Sequence, residues 1–182
     1  QKIERNQPYF PLSFSQQRLW FLEQLNPELN VYNVPAALRL VGLLDKKAIM
    51  GAIKEVIKRH EILRASIVVD NLGDSYQRIS PNIDFECDYH DISNLSKASL
   101  PSIIQEKLNT EINKSFDLSQ APLLRCSILR LSNNEHILIL AIHHIVTDAW
   151  SMELFFSELS ELYNSSLEHR APQLPELPIQ YI

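Results

Sequence analysis

The chain has 182 residues, of which 45% are hydrophobic and 21% charged, and its formal net charge is -5 at pH 7. These values are ordinary for a globular protein and allow one domain with a sizeable core. The negative charge and the lack of a Lys/Arg run argue against nucleic-acid or membrane partners, and no nucleotide-binding glycine motif is present.

The cysteines and the chain start bear on the cellular compartment. Cys87 and Cys126 lie far apart without a C-x-x-C pattern, which predicts two reduced, buried thiols and a cytoplasmic location. No metal-ligand spacing stands out. The apolar run at 137–146 is too short to span a bilayer, and the N-terminus lacks the features of a signal peptide. Because the chain begins at Gln1 rather than Met, we expect it to be a piece of a longer protein.

The N-terminal region predicts an extended segment and then a helix. Residues 1–11 are polar and contain two prolines. Ser13 or Ser15 can cap a helix that continues to Leu25, and Asn26-Pro27 would stop it.

A strand and a second helix are predicted next. Residues 31–41 favour a strand, with Pro35 near its start or on a sheet edge. Apolar residues at helical spacing predict a helix over residues 44–60, with Asp45 as its cap and basic residues at its C-terminal end.

The middle of the chain predicts strands and a third helix. Residues 62–69 are predicted to form a strand that contains Arg64 and leads through a turn at 71–74 into a second strand. The other predicted elements are a strand at 85–89, a helix at 99–116, a strand at 124–131 and, after a turn at Asn133-Asn134, an antiparallel strand from Glu135.

Two histidines stand where the last predicted strand ends. Residues 135–142 are apolar at nearly every position, which favours a strand covered on both faces. Adjacent strand residues point to opposite faces, so His143 and His144 cannot both reach one substrate or chelate one metal ion. We expect one to face a cavity and the other to be held inside the structure.

The residues after the histidines allow two interpretations. Helical spacing over 152–163 predicts a final helix, which Thr147 or Asp148 could cap. In the first interpretation, the histidines are core residues bonded to backbone carbonyls. In the second, ionisable groups are retained at the end of a core strand because chemistry uses them. The H-x-x-x-D spacing alone does not decide between the two.

Two arginines follow the second predicted helix. Arg59 reads most simply as a solvated cation at the helix end. Arg64 would lie in a strand, where a guanidinium needs a carboxylate partner. Asp148 is a candidate partner, although only the fold could bring the two together.

Three prolines recur at every third residue near the C-terminus, at positions 172, 175 and 178. This spacing favours an extended, polyproline-type conformation. Such a segment could be a ligand for a proline-recognising domain, but a stiff linker is the simpler interpretation.

Four stretches in order resemble motifs of the condensation domains of nonribosomal peptide synthetases. They are LSFSQQRLWFL at 12–22, RHEILRAS at 59–66, NKSFDLSQAPLLR at 113–125 and HHIVTDAWS at 143–151. Together they cover essentially the whole chain, which a chance H-x-x-x-D spacing would not produce. The departures from the family motifs are Phe14 for proline, Ala65 for threonine, Ile67 for phenylalanine and Ala149 for glycine.

The resemblance implies a fold similar to that of chloramphenicol acetyltransferase. That fold is a layered α/β sandwich with a mixed, mostly antiparallel sheet flanked by helices, duplicated so that the active site lies in a tunnel between two lobes. Residues 1–170 would form the N-terminal lobe, and residues 171–182 a proline-rich linker towards a C-terminal lobe. Since one lobe supplies half of the tunnel walls, we expect the isolated lobe to be inactive.

The implied reaction is amide formation between two thioesters. The amine of an acceptor aminoacyl thioester attacks the carbonyl of a donor acyl or peptidyl thioester. Both would be carried on 4'-phosphopantetheine arms of donor and acceptor peptidyl carrier domains, with an adenylation domain adjacent. The lobe itself would bind no cofactor and no metal.

The resemblance also implies roles for residues of the motifs. His144 would be catalytic, as a general base or as a hydrogen-bond partner that positions the attacking nitrogen. Asp148 would hold local geometry through an arginine, with Arg64 favoured ahead of Arg59. The N–H of Ala149 could stabilise the developing oxyanion, although alanine adopts positive φ less readily than glycine. The remaining supporting residues are His143, Trp150 and Ser151.

Related subtypes and alternative functions can be compared with this chain at these motifs. In epimerisation domains the serine precedes the tryptophan, whereas Trp150 precedes Ser151 here. Heterocyclisation domains have aspartate in place of the histidines, and both histidines are present here. The histidine-rich motif of the dual epimerising subtype is absent from residues 9–25, and the first motif looks most like the subtype that accepts an L-configured donor. The alternatives are a non-catalytic platform that binds carrier domains, with Ala149 as its only support, and an acyltransferase that uses coenzyme A thioesters.

Overall fold

The computed structural model describes residues 8–26 and 30–181. Pro27, and residues 1–7 of the predicted extended segment, lie outside the described residues. Within them the chain forms four α-helices and seven strands. In chain order these are β1 (Phe10–Pro11), α1 (Phe14–Leu25), β2 (Asn33–Val41), α2 (Lys46–Arg59), β3 (Ala65–Val69), β4 (Ser75–Ile79), β5 (Asp88–Asp91), α3 (Leu100–Asn113), β6 (Leu124–Ser132), β7 (Glu135–His143) and α4 (Ala149–Leu167).

The strands make two sheets of different size. The smaller sheet has the order β1-β4-β3, and the larger has the order β2-β7-β6-β5. All neighbouring strands are antiparallel except β5 and β6, which are parallel. The predicted α/β lobe with a mixed, mostly antiparallel sheet flanked by helices is therefore confirmed.

The interior strand β7 carries the core on both of its faces. Leu138, Leu140 and Ile142 belong to the main cluster, which also contains the apolar faces of α2 and α4. Ile139 faces the other way and packs with residues of α3. Because both faces are covered, the strand has no solvent-facing side, which explains its continuous apolar sequence.

Several predicted elements are confirmed at the residues that define them. Ser13 caps α1 and forms a capping box with Gln16, and Asp45 caps α2 through the N–H groups of Lys47 and Ala48. The β3–β4 and β6–β7 hairpins form as predicted. Pro35 lies on β2, an edge of the larger sheet, where its missing N–H costs no ladder hydrogen bond.

Other elements differ from the prediction in their bounds. The strand predicted over residues 62–69 begins only at Ala65, because Glu61–Arg64 form a 3-10 turn. The strand predicted at 85–89 is displaced to β5, where pairing with β6 decides its position. The last helix begins at Ala149 and ends at Leu167, longer than predicted at both ends.

The prediction of two separate thiols is wrong. Cys87 and Cys126 form a disulfide, with their Cα atoms 4.8 Å apart. The parallel register of β5 and β6 places Asp88 opposite Ser127, so the residues before them are also neighbours. The spacing in the sequence could not show this contact, because it depends on a pairing across the sheet.

Candidate functional site

The segment between β7 and α4 carries the predicted site. β7 ends at His143, and His144–Val146 form a 3-10 turn, which we call the histidine turn. Asp148, and not Thr147, then caps α4. Its Oδ1 accepts hydrogen bonds from the Ser151 hydroxyl, at 2.7 Å, and from the Ser151 N–H, at 2.8 Å. These hydrogen bonds hold the pKa of Asp148 below its ordinary value.

His143 is held inside the lobe, with 1% of its surface exposed. Its Nδ1 accepts a hydrogen bond from the Ile145 N–H at 3.1 Å, so the side chain caps the histidine turn. Burial, followed by the charges of His144 and Arg125, lowers the pKa of His143 to about 4. The ring is therefore neutral near pH 7, and its hydrogen is on Nε2.

Glu23 of α1 lies beyond the other ring nitrogen of His143. The Nε2 of His143 and the Oε2 of Glu23 are 3.8 Å apart, which is too long for a hydrogen bond. Neither atom has a hydrogen-bond partner within residues 8–26 and 30–181. Burial raises the pKa of Glu23, which favours its neutral form beside the neutral imidazole.

His144 is exposed and has the opposite hydrogen arrangement. Its Nδ1 lies 2.7 Å from the Thr147 carbonyl oxygen. Because a carbonyl oxygen only accepts, Nδ1 carries the hydrogen in the neutral ring and Nε2 carries the lone pair. The structure thus places one histidine inside and the other at a cavity, as predicted.

A cavity of about 450 Å³ lies beside His144. This volume suits a small-molecule group. α1, the histidine turn, the start of α4 and the C-terminal segment enclose it. The lining is mostly apolar and includes Leu19, Ile62, Val146, Trp150, Phe155 and Tyr181. Trp150 is nevertheless 77% exposed, because it stands at the rim.

The predicted ion pair between Arg64 and Asp148 is wrong. Arg64 ends the 3-10 turn before β3, and its Nη1 donates to the carbonyls of Ser80, at 2.5 Å, and Pro81. Asp148 instead receives the hydrogen bonds of Ser151. The pair fails because Arg64 does not lie in the predicted strand.

Arg59, rather than Arg64, has a carboxylate partner, and that partner is Glu158 rather than Asp148, so the prediction of Arg59 as a solvated cation is wrong. Its Nε lies 3.0 Å from Oε1 of Glu158 in α4, and His60 Nε2 lies 2.7 Å from the other carboxylate oxygen. We call these three residues the Glu158 cluster. Glu158 is only 3% exposed. Sequence reasoning missed it, although a glutamate between Phe155 and Leu159 on an apolar helix face was a usable signal.

The proline-rich C-terminal segment lies against the lobe. Gln180 donates to the carbonyl of Arg59 at 3.0 Å and accepts from the N–H of Glu61 at 3.1 Å. Arg59 also donates to the carbonyl of Pro175. Residues 171–181 contain no helix or strand, and several of them line the cavity beside His144. Their role as a linker stays a prediction.

Ala149 does not need the backbone freedom of glycine. It is the first residue of α4, and His169 is the one non-glycine residue with positive φ in the part of the chain that the structure describes. The lower tolerance of alanine for positive φ therefore has no consequence at this position. As the start of a helix, the position supplies an N–H without an intrahelical partner.

The described residues contain neither a cluster of metal ligands nor a membrane-spanning helix. Within residues 8–26 and 30–181, no group of three or more His, Cys, Asp or Glu side chains is placed to hold a metal ion. None of the helices described is long and apolar enough to cross a membrane.

Comparison with known proteins identifies the family. The model of the family described as "Condensation domain" matches residues 6–182. This chain belongs to the condensation domain family. It is 40% identical over 179 residues to one of the linear gramicidin synthase proteins of Brevibacillus parabrevis, which covers 98% of this chain and 2% of that protein. It is 36% identical over 171 residues to malpinin synthetase of Mortierella alpina, which covers 94% of this chain and 2% of that protein.

Solved condensation domains share the fold. The starter condensation domain of rhizomide synthetase superposes with a TM-score of 0.85 at 21% identity, covering 93% of this chain and 40% of that one. The first condensation domain of the calcium-dependent antibiotic synthetase gives a TM-score of 0.84 at 23% identity, covering 91% and 39%. This chain thus spans well under half of each of these solved chains, and the resemblance drawn from the four motifs is confirmed.

Proposed function

We propose that this chain is the N-terminal lobe of a condensation domain that forms amide bonds in nonribosomal peptide synthesis. The acceptor amine would attack the donor thioester carbonyl beside His144. Donor and acceptor peptidyl carrier domains would deliver both thioesters on 4'-phosphopantetheine arms. A C-terminal lobe of the same domain would supply the other wall of the tunnel, and an adenylation domain would be adjacent.

The hydrogen bond between His144 Nδ1 and the Thr147 carbonyl carries this proposal. It holds the neutral ring with the lone pair on Nε2, and the ring lines the cavity. An Nε2 lone pair can accept a hydrogen from the attacking amine, either to position the amine or to remove its proton. A histidine retained only for packing would not need a fixed tautomer at an exposed position.

The start of α4 supports the same reaction. Tetrahedral intermediates of acyl transfer carry negative charge on oxygen, which backbone N–H groups stabilise. Ala149 begins the helix directly after the cap at Asp148, so its N–H belongs to the positive end of the helix dipole. In this proposal Asp148 and Ser151 fix the helix start, and Trp150 borders the cavity.

Arg59 and Arg64 take structural roles in this proposal. Arg59 joins α2 to α4 through Glu158, and Arg64 fixes the chain after β4 through backbone carbonyls. Neither contacts Asp148. The L-configured donor subtype rests on the first motif, at 12–22, and on the lack of the histidine-rich motif of the dual epimerising subtype. A cytoplasmic location rests on the family alone, since a disulfide replaces the predicted thiols.

The test uses the parent two-lobe domain with donor and acceptor carriers loaded in separate reactions. Intact-protein mass spectrometry follows transfer of the donor group onto the acceptor carrier, with L- and D-configured donors compared. A donor on coenzyme A is the third arm. We expect transfer from the carrier-bound L donor.

Two outcomes would contradict the proposal. Transfer from coenzyme A but not from carriers would indicate the acyltransferase alternative. Carrier binding without transfer, across varied substrates, would indicate a non-catalytic platform. Transfer from the D donor alone would overturn only the subtype.

A further inference from the structure

We propose that Gln16 of α1 is a positioning residue that fixes the histidine turn and, through it, the ring of His144. The inference rests on the proposed function, because it assigns Gln16 to the same site. Gln16 lies in the first turn of α1, far from His144 in the sequence, and only 1% of its surface is exposed.

All hydrogen-bonding atoms of the Gln16 amide are used. Its Nε2 donates to the carbonyl of Ile145 at 3.2 Å and to Oε1 of Gln77 at 3.1 Å. Its Oε1 accepts from the N–H of Ser13 at 3.0 Å. A buried amide with both donors and its oxygen bonded is fixed in place.

The partners of Gln16 allow only one orientation of its amide. Exchanging Oε1 and Nε2 would set an acceptor against two acceptor oxygens, those of Ile145 and Gln77. Gln77 is fixed in turn, because its own Nε2 donates to the Pro11 carbonyl at 3.0 Å. The orientation is therefore determined by the hydrogen bonds themselves.

Gln16 and His143 together hold both polar groups of Ile145. The N–H of Ile145 donates to His143, and its carbonyl accepts from Gln16. Ile145 directly follows His144. The ring of His144 cannot shift with this turn unless a buried hydrogen bond breaks, which leaves an unsatisfied polar group.

The role of Gln16 as part of a capping box does not account for these contacts. The capping box uses the backbone N–H and the Oε1 of Gln16. The two hydrogen bonds of Nε2 lead away from α1, to the histidine turn and to β4. Helix initiation alone would not require them.

The test compares Gln16→Met with Gln17→Met in the parent two-lobe domain. Gln17 is the matched control, since it is exposed and its side chain donates only to the Leu12 carbonyl in the described structure. Three quantities are measured: the single-turnover rate of amide formation at saturating acceptor carrier, the affinity for the carrier, and the tautomer of His144 from the ¹⁵N shifts of labelled histidine.

For Gln16→Met we expect condensation about 10- to 100-fold slower, because small displacements of a reacting group cost rates of this order. Carrier affinity should be unchanged, and His144 should lose its single Nδ1–H tautomer. Gln17→Met should match the wild type in all three. A Gln16→Met domain that is folded and keeps the wild-type rate and tautomer would overturn the inference.

Gln16→Glu keeps the inference testable if Gln16→Met does not fold. It retains an acceptor for Ser13 and can donate to at most one of the two oxygens that Nε2 contacts, so it should show the same slow rate and mixed tautomer. Wild-type behaviour of this variant would contradict the inference. The tautomer readout also separates the two proposals, because it decides the role of Gln16 even if the wild-type domain forms no amide.

Discussion

The histidine turn and the Glu158 cluster border the same cavity but are held by different forces. Hydrogen bonds that involve backbone groups fix the turn: His143 and Gln16 hold Ile145, and Thr147 holds His144. An ion pair of the buried Glu158 carboxylate with Arg59, together with the contact of its other oxygen with His60 Nε2, holds the cluster. The sequence led us to expect an ion pair at the turn, and the structure places it in the cluster instead.

The two regions therefore have different roles: the histidine turn positions the ring of His144, and the Glu158 cluster anchors the elements around it. A buried ion pair next to His144 would change the free energy of its charged form, whereas uncharged hydrogen bonds fix its geometry with little electrostatic effect. The Glu158 cluster lies where α2, α4 and the C-terminal segment meet, and it joins all three. Charge there secures the lobe and one wall of the cavity.

The sharpest test of the comparison removes the imidazole of His144, which lines the cavity. We expect His144→Ala in the two-lobe domain to slow donor transfer by about 100-fold or more, since positioned proton-transfer groups contribute at least this factor. Intact-protein mass spectrometry measures the rate. The control is His169→Asn, at an exposed position with φ of 52° that asparagine tolerates. Equal rates in His144→Ala and wild type would remove His144 from the chemistry.

The second test breaks the Glu158 cluster. Glu158→Gln should lower the free energy of unfolding by about 3 kcal/mol, because it leaves Arg59 without its carboxylate in a mostly buried site. Urea unfolding measures the loss, and limited proteolysis should show earlier cleavage within residues 171–181. Glu153→Gln is the exposed control on the same helix. If both variants unfold at the same urea concentration, the cluster does not anchor the lobe.

The third test concerns the pH dependence that His143 gives the turn. The folded state lowers the pKa of His143 from 6.5 to about 4. Between these values the unfolded state binds the extra proton, so stability rises with pH across that window. At pH 4 the wild type should therefore lack up to about 3 kcal/mol of the stability that it has at pH 7 from this group.

His143→Asn separates this effect from the hydrogen bond. The asparagine oxygen can still accept from the N–H of Ile145, but the side chain does not titrate. Urea unfolding between pH 4 and pH 7 should show a flatter curve for the variant than for the wild type. Parallel curves would show that His143 is not held neutral in the folded state.

Local sequence patterns predicted the helices and strands, whereas contacts between residues far apart in the sequence decided which side chains pair. Periodicity was sufficient for α2 and the β6–β7 hairpin. The separation of His143 from His144 was predicted from alternating strand faces, but the structure achieves it by ending β7 at His143 and placing His144 in the histidine turn. The partner of Arg59 lies 99 residues away, and the Ile145 carbonyl lies 129 residues from Gln16. Such pairs depend on the packing of α4 on α2 and of α1 on the turn, which no local pattern specifies. The disulfide depends on strand register in the same way.

The smallest expected effect concerns Ala149, where the family motif has glycine. The position is the first residue of a helix, so alanine is compatible with its backbone and restricts the unfolded chain more than glycine does. Ala149→Gly should lower the free energy of unfolding by up to about 1 kcal/mol. Transfer should stay at the wild-type rate, because both residues provide the same N–H. A variant that condenses about 10-fold faster would show that the methyl group of Ala149 obstructs the site, since general loosening of the helix start would not accelerate a reaction that depends on positioning.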